Sequence, residues 1–161
     1  MHMKNFHTAD LIDISPETSS CTTDFKSYGL RKRFYGKIRT VRCCADNVLI
    51  KQLVNTPVKG EVLVIDGQGA RSCALMGDML ANSAMQNGWA GVIIFGMIRD
   101  SVAINEMDFG IKALGTNPRK SAKTGAGDVD ISVSFGDVVF IPQHFIYSDE
   151  DGILVSEKPL I

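Results

Sequence analysis

The amino-acid sequence predicts a single α/β domain over residues 1–161, with a central strand–helix–strand unit and a β-rich C-terminal part. "EVLVIDG" (61–67) and "AGVIIFG" (90–96) are continuous apolar runs, as in parallel strands covered on both faces. A helical segment at 70–88 lies between them, which is the order of a βαβ unit. Further on, "DISVSFGDVVFIP" (130–142) alternates apolar and polar residues, which predicts a strand with Ile131, Val133 and Phe135 on one buried face.

The elements before this unit follow from shorter patterns. "TADLIDIS" (8–15) predicts a short capped helix, and "YGKIRTVRCC" (35–44) predicts a strand. In "NVLIKQLVN" (47–55) the apolar residues recur at helical spacing, and Pro57 and Gly60 end that helix.

The segment at 70–88 contains Gly77, which costs about 1 kcal/mol relative to alanine inside a helix. Two interpretations are open. Gly77 lets a continuous helix pack closely on the sheet, or the helix begins here with Asp78 as its N-cap. In the second case the free N–H groups of Met79 and Leu80 face outward, where they can bind a carboxylate or a phosphate.

The elements after this unit are short. "DSVAINEM" (100–107) predicts a helix and "IKAL" (111–114) a strand, while "YSDEDGILVSE" (147–157) predicts a turn followed by a last strand. The polar segment "TNPRKSAKTGAGDVD" (116–130) is either a mobile loop or the rim of a site.

Composition excludes several classes of protein. The formal net charge is -1, which argues against a nucleic-acid surface built on bulk positive charge. The basic run Arg31-Lys32-Arg33 is short, so we interpret it as a solvated loop. The N-terminal residues lack the apolar segment of a secretory signal, and no apolar stretch is long enough to span a membrane.

Cysteine spacing argues against a metal site made of thiolates. No CxxC pair is present, and neighbouring cysteines point to opposite faces of a strand. We expect reduced, partly buried thiols in a cytoplasmic protein. The residues concerned are Cys21, Cys43, Cys44 and Cys73.

The apolar run 91–98 ends abruptly in Arg99 and Asp100, which form either a surface ion pair or part of a site. Ligands bind at the carboxyl ends of such strands, and a βαβ unit can bring Asp78 to the same edge. Arg99 would offer a bidentate fork to a carboxylate, and Asp100 a hard oxygen ligand to Mg²⁺ or Mn²⁺. Together they suit an α-keto acid, which chelates a metal through its carboxylate and carbonyl oxygens.

Asp78, followed after twenty residues by Arg99-Asp100, resembles the D-x20-R-D signature of class II 4-hydroxy-4-methyl-2-oxoglutarate aldolases. That family includes the regulator of ribonuclease activity A proteins. The likeness continues through "GEVLVIDGQGARSCALMGDMLANSAMQNGWAGVIIFGMIRD", and "YGKIRTVRCCADN" and "FIYSDEDGILVSE" resemble the flanking segments. Length and both ends are closest to the regulator branch, some members of which lack the metal-binding aspartate that Asp100 matches here. Both functions therefore stay open.

The resemblance implies a swivelling β/β/α domain, assembled as a homotrimeric ring with sites between subunits. It implies that Arg99 grips the substrate carboxylate, with Asp78 as the other catalytic candidate, and that Asp100 is the ligand of Mg²⁺ or Mn²⁺. The acidic turn 149–151 resembles a segment near a neighbouring subunit's site, but no role follows for it. The implied substrate-binding residues are Gly77, Asp78, Met79, Leu80 and Arg99.

The activity implied is metal-dependent cleavage of 4-hydroxy-4-methyl-2-oxoglutarate-type keto acids to pyruvate, with oxaloacetate decarboxylation through the same enolate. No Schiff-base lysine is needed, so we expect Lys112, Lys120 and Lys123 to be solvated. One alternative is a protein that binds an endoribonuclease and slows RNA turnover without catalysis. Another is an S-adenosylmethionine-dependent methyltransferase, for which only the turn "DGQG" (66–69) argues, in a chain short for such a cofactor domain.

Overall fold

A mixed β-sheet forms the centre of the domain in the computed structural model, which describes residues 4–161; residues 1–3 of the N-terminal segment lie outside this range. The helices are α1 Thr8–Ile14, α2 Val48–Val54, α3 Asp78–Gln86 and α4 Ser101–Asn105. The strands are β1 Ser19–Ser20, β2 Lys26–Tyr28, β3 Phe34–Arg42, β4 Val62–Asp66, β5 Ala74–Met76, β6 Gly91–Ile98, β7 Ile111–Thr116, β8 Asp128–Val129, β9 Val133–Phe135, β10 Val138–Phe140, β11 Phe145–Ser148 and β12 Ile153–Ser156.

Four parallel strands, β3, β4, β6 and β7, lie side by side in the middle of the sheet. The full order is β1-β12-β11-β3-β4-β6-β7-β2, with β5 paired to β6 and β8 paired to β3. The strands β11 and β12 run antiparallel and extend the sheet with C-terminal sequence. The predicted α/β class, the central β4–α3–β6 unit and the β-rich C-terminal part are therefore confirmed.

Both faces of the central strands are buried, which explains their continuous apolar sequence. Leu63 and Ile65 of β4 pack in the cluster that contains α2 and α3. Their neighbours Val62 and Val64 point the other way, into the cluster that contains β9, β10 and β11. The sheet is thus the middle layer of the domain, with α2, α3 and α4 on one side and the β9–β10 hairpin on the other, while α1 packs on β11 and β12.

The helix predicted over 70–88 is wrong in its first half. Ala74–Met76 is a buried strand that pairs in parallel with β6, and the helix begins only at Asp78. The backbone hydrogen-bonding groups of this short segment are paired with residues more than twenty positions further along the chain. Tertiary pairing therefore overrides the local helical pattern.

The alternating segment 130–142 is also not one strand. Gly136 and Asp137 both have positive φ, 61° and 62°, and turn the chain into a two-stranded β9–β10 hairpin. Val133 and Phe135 are buried on one face as predicted, but Ile131 precedes the hairpin and is 36% exposed. Consecutive left-handed residues make the tight turn whose twist matches a hairpin.

Lys112 is buried, in contrast to the expected solvated lysine. Its side chain is 5% exposed, and Nζ donates hydrogen bonds to the carbonyls of Asp149 and Gly152. Burial lowers the pKa of the Lys112 ammonium, which nearby carboxylates partly oppose. The bonded ammonium ties β7 to the turn between β11 and β12, so the role of Lys112 is structural.

Asp149 is the other buried charge at this turn. Its carboxylate accepts hydrogen bonds from the Thr8 backbone (2.7 Å) and hydroxyl (2.6 Å), and from the Asp151 backbone (3.0 Å). The helix predicted at 8–15 is present, but its N-cap residue His7 makes no side-chain cap bond, and a carboxylate from the other end of the chain accepts the first helical N–H instead. The acidic turn holds α1 in place within this chain.

Two further expectations concern the whole chain. The four cysteines are free thiols, with Cys43 and Cys73 buried, and burial raises the pKa of Cys43 to about 12. None of the helices within residues 4–161 combines the length and the apolar character needed to cross a membrane.

We predict that Lys112→Met lowers the free energy of unfolding by about 1–3 kcal/mol, because the Asp149 and Gly152 carbonyls each lose a hydrogen bond to the buried ammonium. Urea denaturation at pH 7 measures this change. The matched control is Lys32→Met, since Lys32 donates to Gly29 O (2.7 Å) from an exposed position. We expect the control to change stability by less than about 0.5 kcal/mol, and equal losses in both variants would contradict a special role for the buried ammonium.

Candidate active site

Two segments meet at the carboxyl edge of the parallel strands, where β6 ends and α3 begins. The Arg99 N–H donates to Met76 O (3.0 Å), and the Asp78 N–H donates to Asp100 Oδ2 (3.1 Å). The sequence predicts that a βαβ unit brings Asp78 to the edge that carries Arg99 and Asp100, and the structure has this arrangement. The roles assigned to these side chains stay predictions.

Gly77 is required because the Asp100 carboxylate lies directly over it. A Cβ at this position would be 2.5 Å from Asp100 Oδ2 and 3.3 Å from Arg99 Cγ. The φ of Gly77 is -119°, an ordinary extended value, so backbone freedom does not explain the glycine. The interpretation in which α3 begins at this point is confirmed, and the close approach of Asp100 is the reason for the glycine.

The start of α3 presents unbonded N–H groups to this edge. The first helical hydrogen bond runs from the Ala81 N–H to Gly77 O (3.0 Å), so Gly77 is the N-cap and the expectation of Asp78 was wrong by one residue. Met79 and Leu80 precede that bond, and their N–H groups have no acceptor within the helix. The helix dipole adds partial positive charge here, which favours an anion.

Asp100 has a left-handed backbone, with φ 59° and ψ 38°, at the N-cap of α4. Aspartate and asparagine tolerate this region better than other side chains with a Cβ. The conformation turns the carboxylate back toward α3, where Oδ2 accepts the Asp78 N–H and lies 3.8 Å from Arg99 Nε. In the part of the chain that the structure describes, Oδ1 has no protein hydrogen-bond partner.

The donor set suits a hard divalent cation held mainly by water and substrate. Asp78 and Asp100 are the carboxylates that line the cavity. Across residues 4–161 no group of three or more histidine, cysteine, aspartate or glutamate side chains is arranged to hold a metal. Mg²⁺ and Mn²⁺ accept such sites, with one or two carboxylates and the rest of the shell from water and ligand oxygens.

The cavity at this edge has a volume of about 240 Å³ and more cations than the sequence predicts. Besides Arg99, it is lined by Lys51, Lys120 and Lys123. Lys120 and Lys123 are exposed as expected, yet they face the site, so the polar segment 116–130 contributes its rim. The remaining lining residues are Asn47, Ala74, Met76, Gly77, Asp78, Met79, Leu80, Asp100 and Ser121.

The rim is fixed from below by Asp46, a residue that the sequence gives no reason to select. Its side chain is 3% exposed and accepts hydrogen bonds from the Thr124 hydroxyl (2.7 Å) and from the backbone of Thr124, Gly125 and Val48. These bonds, that of the Thr124 hydroxyl first, lower the pKa of Asp46 to about 2. The adjacent Asn47 accepts a hydrogen bond from Lys123 Nζ (3.2 Å) through its Oδ1.

A larger cavity of about 640 Å³ lies at the opposite edge of the sheet, where its lining includes Tyr35, Trp89 and Phe145. It adjoins Glu61 and Ala90, which immediately precede β4 and β6. Ligands of open α/β sheets bind at the carboxyl ends of the strands, and this cavity is at the amino ends. The smaller cavity, with its convergent charges, is therefore the candidate active site.

The chain belongs to the RraA-like family, described as aldolase/RraA, whose family model matches residues 8–155. The family predicted from Asp78, Arg99 and Asp100 and from the segments around them is thereby confirmed.

Three relatives are similar along almost their whole length. A protein of Aromatoleum aromaticum (strain DSM 19018 / LMG 30748 / EbN1) named "Putative 4-hydroxy-4-methyl-2-oxoglutarate aldolase" is 51% identical over 157 residues, 97% of this chain and 99% of that protein. The crystal structure of an S-adenosylmethionine:2-dimethylmenaquinone methyltransferase from Geobacillus kaustophilus HTA426 superposes with a TM-score of 0.94 at 46% identity, covering 96% of this chain and 97% of that one. The RNA-processing inhibitor RraA from Thermus thermophilis has a TM-score of 0.93 at 40% identity, covering 97% of this chain and 95% of that one.

We predict that Gly77→Ala preserves the fold but displaces the Asp100 carboxylate, because the new methyl group would lie 2.5 Å from Oδ2. The free energy of unfolding should fall by about 1–3 kcal/mol, as expected for overpacking. Thermal unfolding and a crystal structure of the variant measure the two effects. The double variant Gly77→Ala, Asp100→Gly removes the carboxylate and should recover part of the stability; no recovery would place the clash elsewhere.

Proposed function

We propose that this protein is a divalent-metal-dependent aldolase that cleaves 4-hydroxy-4-methyl-2-oxoglutarate-type keto acids to pyruvate. The observation that carries the proposal is the convergence of the Asp100 carboxylate, the Arg99 guanidinium and the start of α3 on one cavity. The name of the 51% identical relative supports the same chemistry. Decarboxylation of oxaloacetate requires the same enolate and is proposed as a second activity.

Arg99 and the start of α3 would bind the keto acid. The Arg99 side chain is one-third exposed, and its Nη1 makes a long bond of 3.4 Å to Pro118 O, so most of its donors stay available. A guanidinium fork matches a carboxylate in two parallel hydrogen bonds. The N–H groups of Met79 and Leu80 add donors and positive potential at the same place.

Asp100, with its unpaired Oδ1, would hold Mg²⁺ or Mn²⁺ together with water molecules, and Asp78 is the second carboxylate within the cavity. When bound, the ion supplies Lewis-acid polarisation of the C2 carbonyl of the substrate.

Two side chains of the protein would then accept the proton and stabilise the negative charge of the reaction. Cleavage of C3–C4 begins with loss of the C4 hydroxyl proton and leaves negative charge on the enolate of pyruvate. Asp78, half-buried in the first turn of α3, is the proposed acceptor of that proton, directly or through water. The Arg99 guanidinium would stabilise the enolate, because fixed donors aimed at developing charge lower the barrier.

A second candidate function is regulation of an endoribonuclease by protein contact, without catalysis. It is favoured by the similarity of the fold to the RNA-processing inhibitor RraA, at 40% identity over nearly the whole chain. A formal net charge of -1 suits a protein partner better than direct RNA contact. Both functions can coexist in one protein.

Methyl transfer is not proposed, although one similar structure carries that description. The turn "DGQG" is explained by packing. A Cβ on Gly67 would be 2.5 Å from Leu75 Cδ1 and 2.8 Å from Phe95 O, and Asp66 Oδ1 accepts the Gln68 N–H (2.9 Å). These contacts fill the space that a glycine-rich turn leaves open for a nucleotide cofactor.

We also propose a homotrimer, which the family resemblance implies. Met79 beside the cavity is 81% exposed and Val102 on α4 is 77% exposed, and a neighbouring subunit would cover such side chains. Light scattering at micromolar concentration should give three times the chain mass, and a monomeric mass would contradict the proposal.

A coupled assay for pyruvate tests the enzymatic proposal directly. Oxaloacetate and 4-hydroxy-4-methyl-2-oxoglutarate are supplied with Mg²⁺, without Mg²⁺ and with EDTA. Pyruvate release that depends on Mg²⁺ supports the aldolase. Absence of release, together with capture of an endoribonuclease, supports the regulator.

Arg99→Lys should retain the fold and lose about 30- to 1000-fold in turnover, since lysine keeps the charge but not the planar fork. Circular dichroism checks the fold, and the pyruvate assay measures the rate. The matched control is Arg119→Lys, an exposed arginine of the same rim that does not line the cavity. A near-normal rate for Arg99→Lys would remove this residue from the mechanism.

Asp100→Asn should fold normally, because asparagine tolerates the left-handed backbone and its Oδ1 can still accept the Asp78 N–H. Loss of the negative charge should sharply weaken metal binding and lower turnover, and high Mg²⁺ should restore only part of the rate. Endoribonuclease binding, where it occurs, should be unchanged.

The matched control is Asp137→Asn, since Asp137 also has a positive φ, 62°, but lies in the β9–β10 hairpin. It should keep full activity. Unchanged turnover of Asp100→Asn that EDTA still abolishes would show that the metal binds elsewhere.

A further inference from the structure

Residues 123–127 in the rim of the candidate active site belong to no helix or strand. Backbone pairing flanks them on both sides, as isolated contacts at Lys120 and Ala122 and as the two-residue strand β8. Ala122 N–H donates to Ala45 O (2.8 Å), and the Asn47 N–H donates to Ala122 O (3.3 Å). The next residues, Thr124 and Gly125, are held by hydrogen bonds to the Asp46 carboxylate.

Asp46 uses both carboxylate oxygens for this purpose. Oδ2 accepts the hydroxyl and backbone N–H of Thr124, and Oδ1 accepts the N–H groups of Gly125 (3.2 Å) and Val48 (3.1 Å). Four donors compensate the charge of a side chain that is 3% exposed. An asparagine cannot replace it, because its amide nitrogen would face N–H donors.

Asn47 carries the anchoring on to the cavity. Its Oδ1 accepts Lys123 Nζ (3.2 Å), while its Nδ2 donates to Leu75 O (3.3 Å) in β5, the strand that leads into the start of α3. An ammonium has three donors, so Lys123 keeps two for a ligand. Asp46 and Asn47 together therefore fix the position of Lys123 relative to α3.

The cavity is lined by more cationic than anionic side chains, so a fixed Lys123 would help to bind an anion. Four cations line the cavity, Arg99, Lys51, Lys120 and Lys123, against the carboxylates Asp78 and Asp100. A free lysine side chain loses substantial rotamer entropy when it binds an anion. A lysine that is already held by its backbone and by Asn47 loses less rotamer entropy when it binds.

We propose that Asp46 is a positioning residue that preorganises Lys123 for an anionic group of the substrate. The inference rests on the proposed function for the nature of the substrate, but the anchoring itself can be tested without turnover. Asp46 would touch no substrate atom and would act through Thr124, Asn47 and Lys123.

Thr124 allows a test that spares the buried carboxylate, because its side chain is exposed and does not line the cavity. Thr124→Val keeps the shape and removes the hydroxyl, whereas Thr124→Ser keeps the hydroxyl. We expect Thr124→Val to raise KM for oxaloacetate by about 5- to 10-fold with kcat within about twofold, as for loss of one hydrogen bond to a charged group. Thr124→Ser should stay within about twofold of the wild type, and Asp46→Asn should show a larger rise than Thr124→Val.

Trypsin supplies a readout that does not depend on the reaction. Cleavage after Lys120 and Lys123, followed by mass spectrometry, should accelerate in Thr124→Val and Asp46→Asn but not in Thr124→Ser. Cleavage after the exposed Lys59, outside the rim, is the internal reference and should keep its wild-type rate. A purely structural role for Asp46 would accelerate all sites together and leave KM unchanged, which would overturn the proposal.

Failure of the proposed function gives a different pattern. In that case the wild type releases no pyruvate, and calorimetric binding of oxaloacetate replaces KM as the measured quantity. Weaker binding with rim-specific cleavage in Thr124→Val still supports the anchoring. Equal binding and equal cleavage in the Thr124→Val and Thr124→Ser variants would overturn it.

Discussion

The hydrogen bond from the Asp78 N–H to Asp100 Oδ2 is the contact around which the candidate site is organised. It joins the end of β6 to the beginning of α3, two points that the sequence separates by a whole crossover. The contact requires a glycine at position 77 and a left-handed residue at position 100. Once both are present, the guanidinium of Arg99, the helix terminus and the carboxylate are directed to one small volume.

The apolar and polar patterns predict most of the scaffold because the scaffold obeys local rules. Buried parallel strands must be apolar on both faces, so β4 and β6 can be predicted from the sequence alone. The strand β5 is not, because Ala74–Met76 is too short to show a period and is held by partners distant in sequence, β6 above all. Lys112 was misjudged for a related reason: its acceptors are carbonyls about forty residues further along the chain.

The site divides in the same way between what sequence reveals and what only packing reveals. Arg99 and Asp100 can be recognised in the sequence because these two charged residues directly follow the apolar run 91–98. The lysines of the rim are not, since exposed lysines in a polar segment are ordinary. Nothing in the sequence indicates that Asp46 bonds to residues near 124, as no pattern links two loops that meet only in the folded chain.

The separate attachment of the rim has an evolutionary consequence. Residues that would carry out bond cleavage lie on the sheet edge and on α3, whereas the lysines at 120 and 123 belong to a segment attached by isolated backbone bridges and by side-chain bonds. Substitutions in that segment can alter which molecules are accepted without disturbing the reactive groups. Such an arrangement lets relatives of one fold diverge in substrate, or abandon catalysis for partner recognition, while the scaffold stays the same.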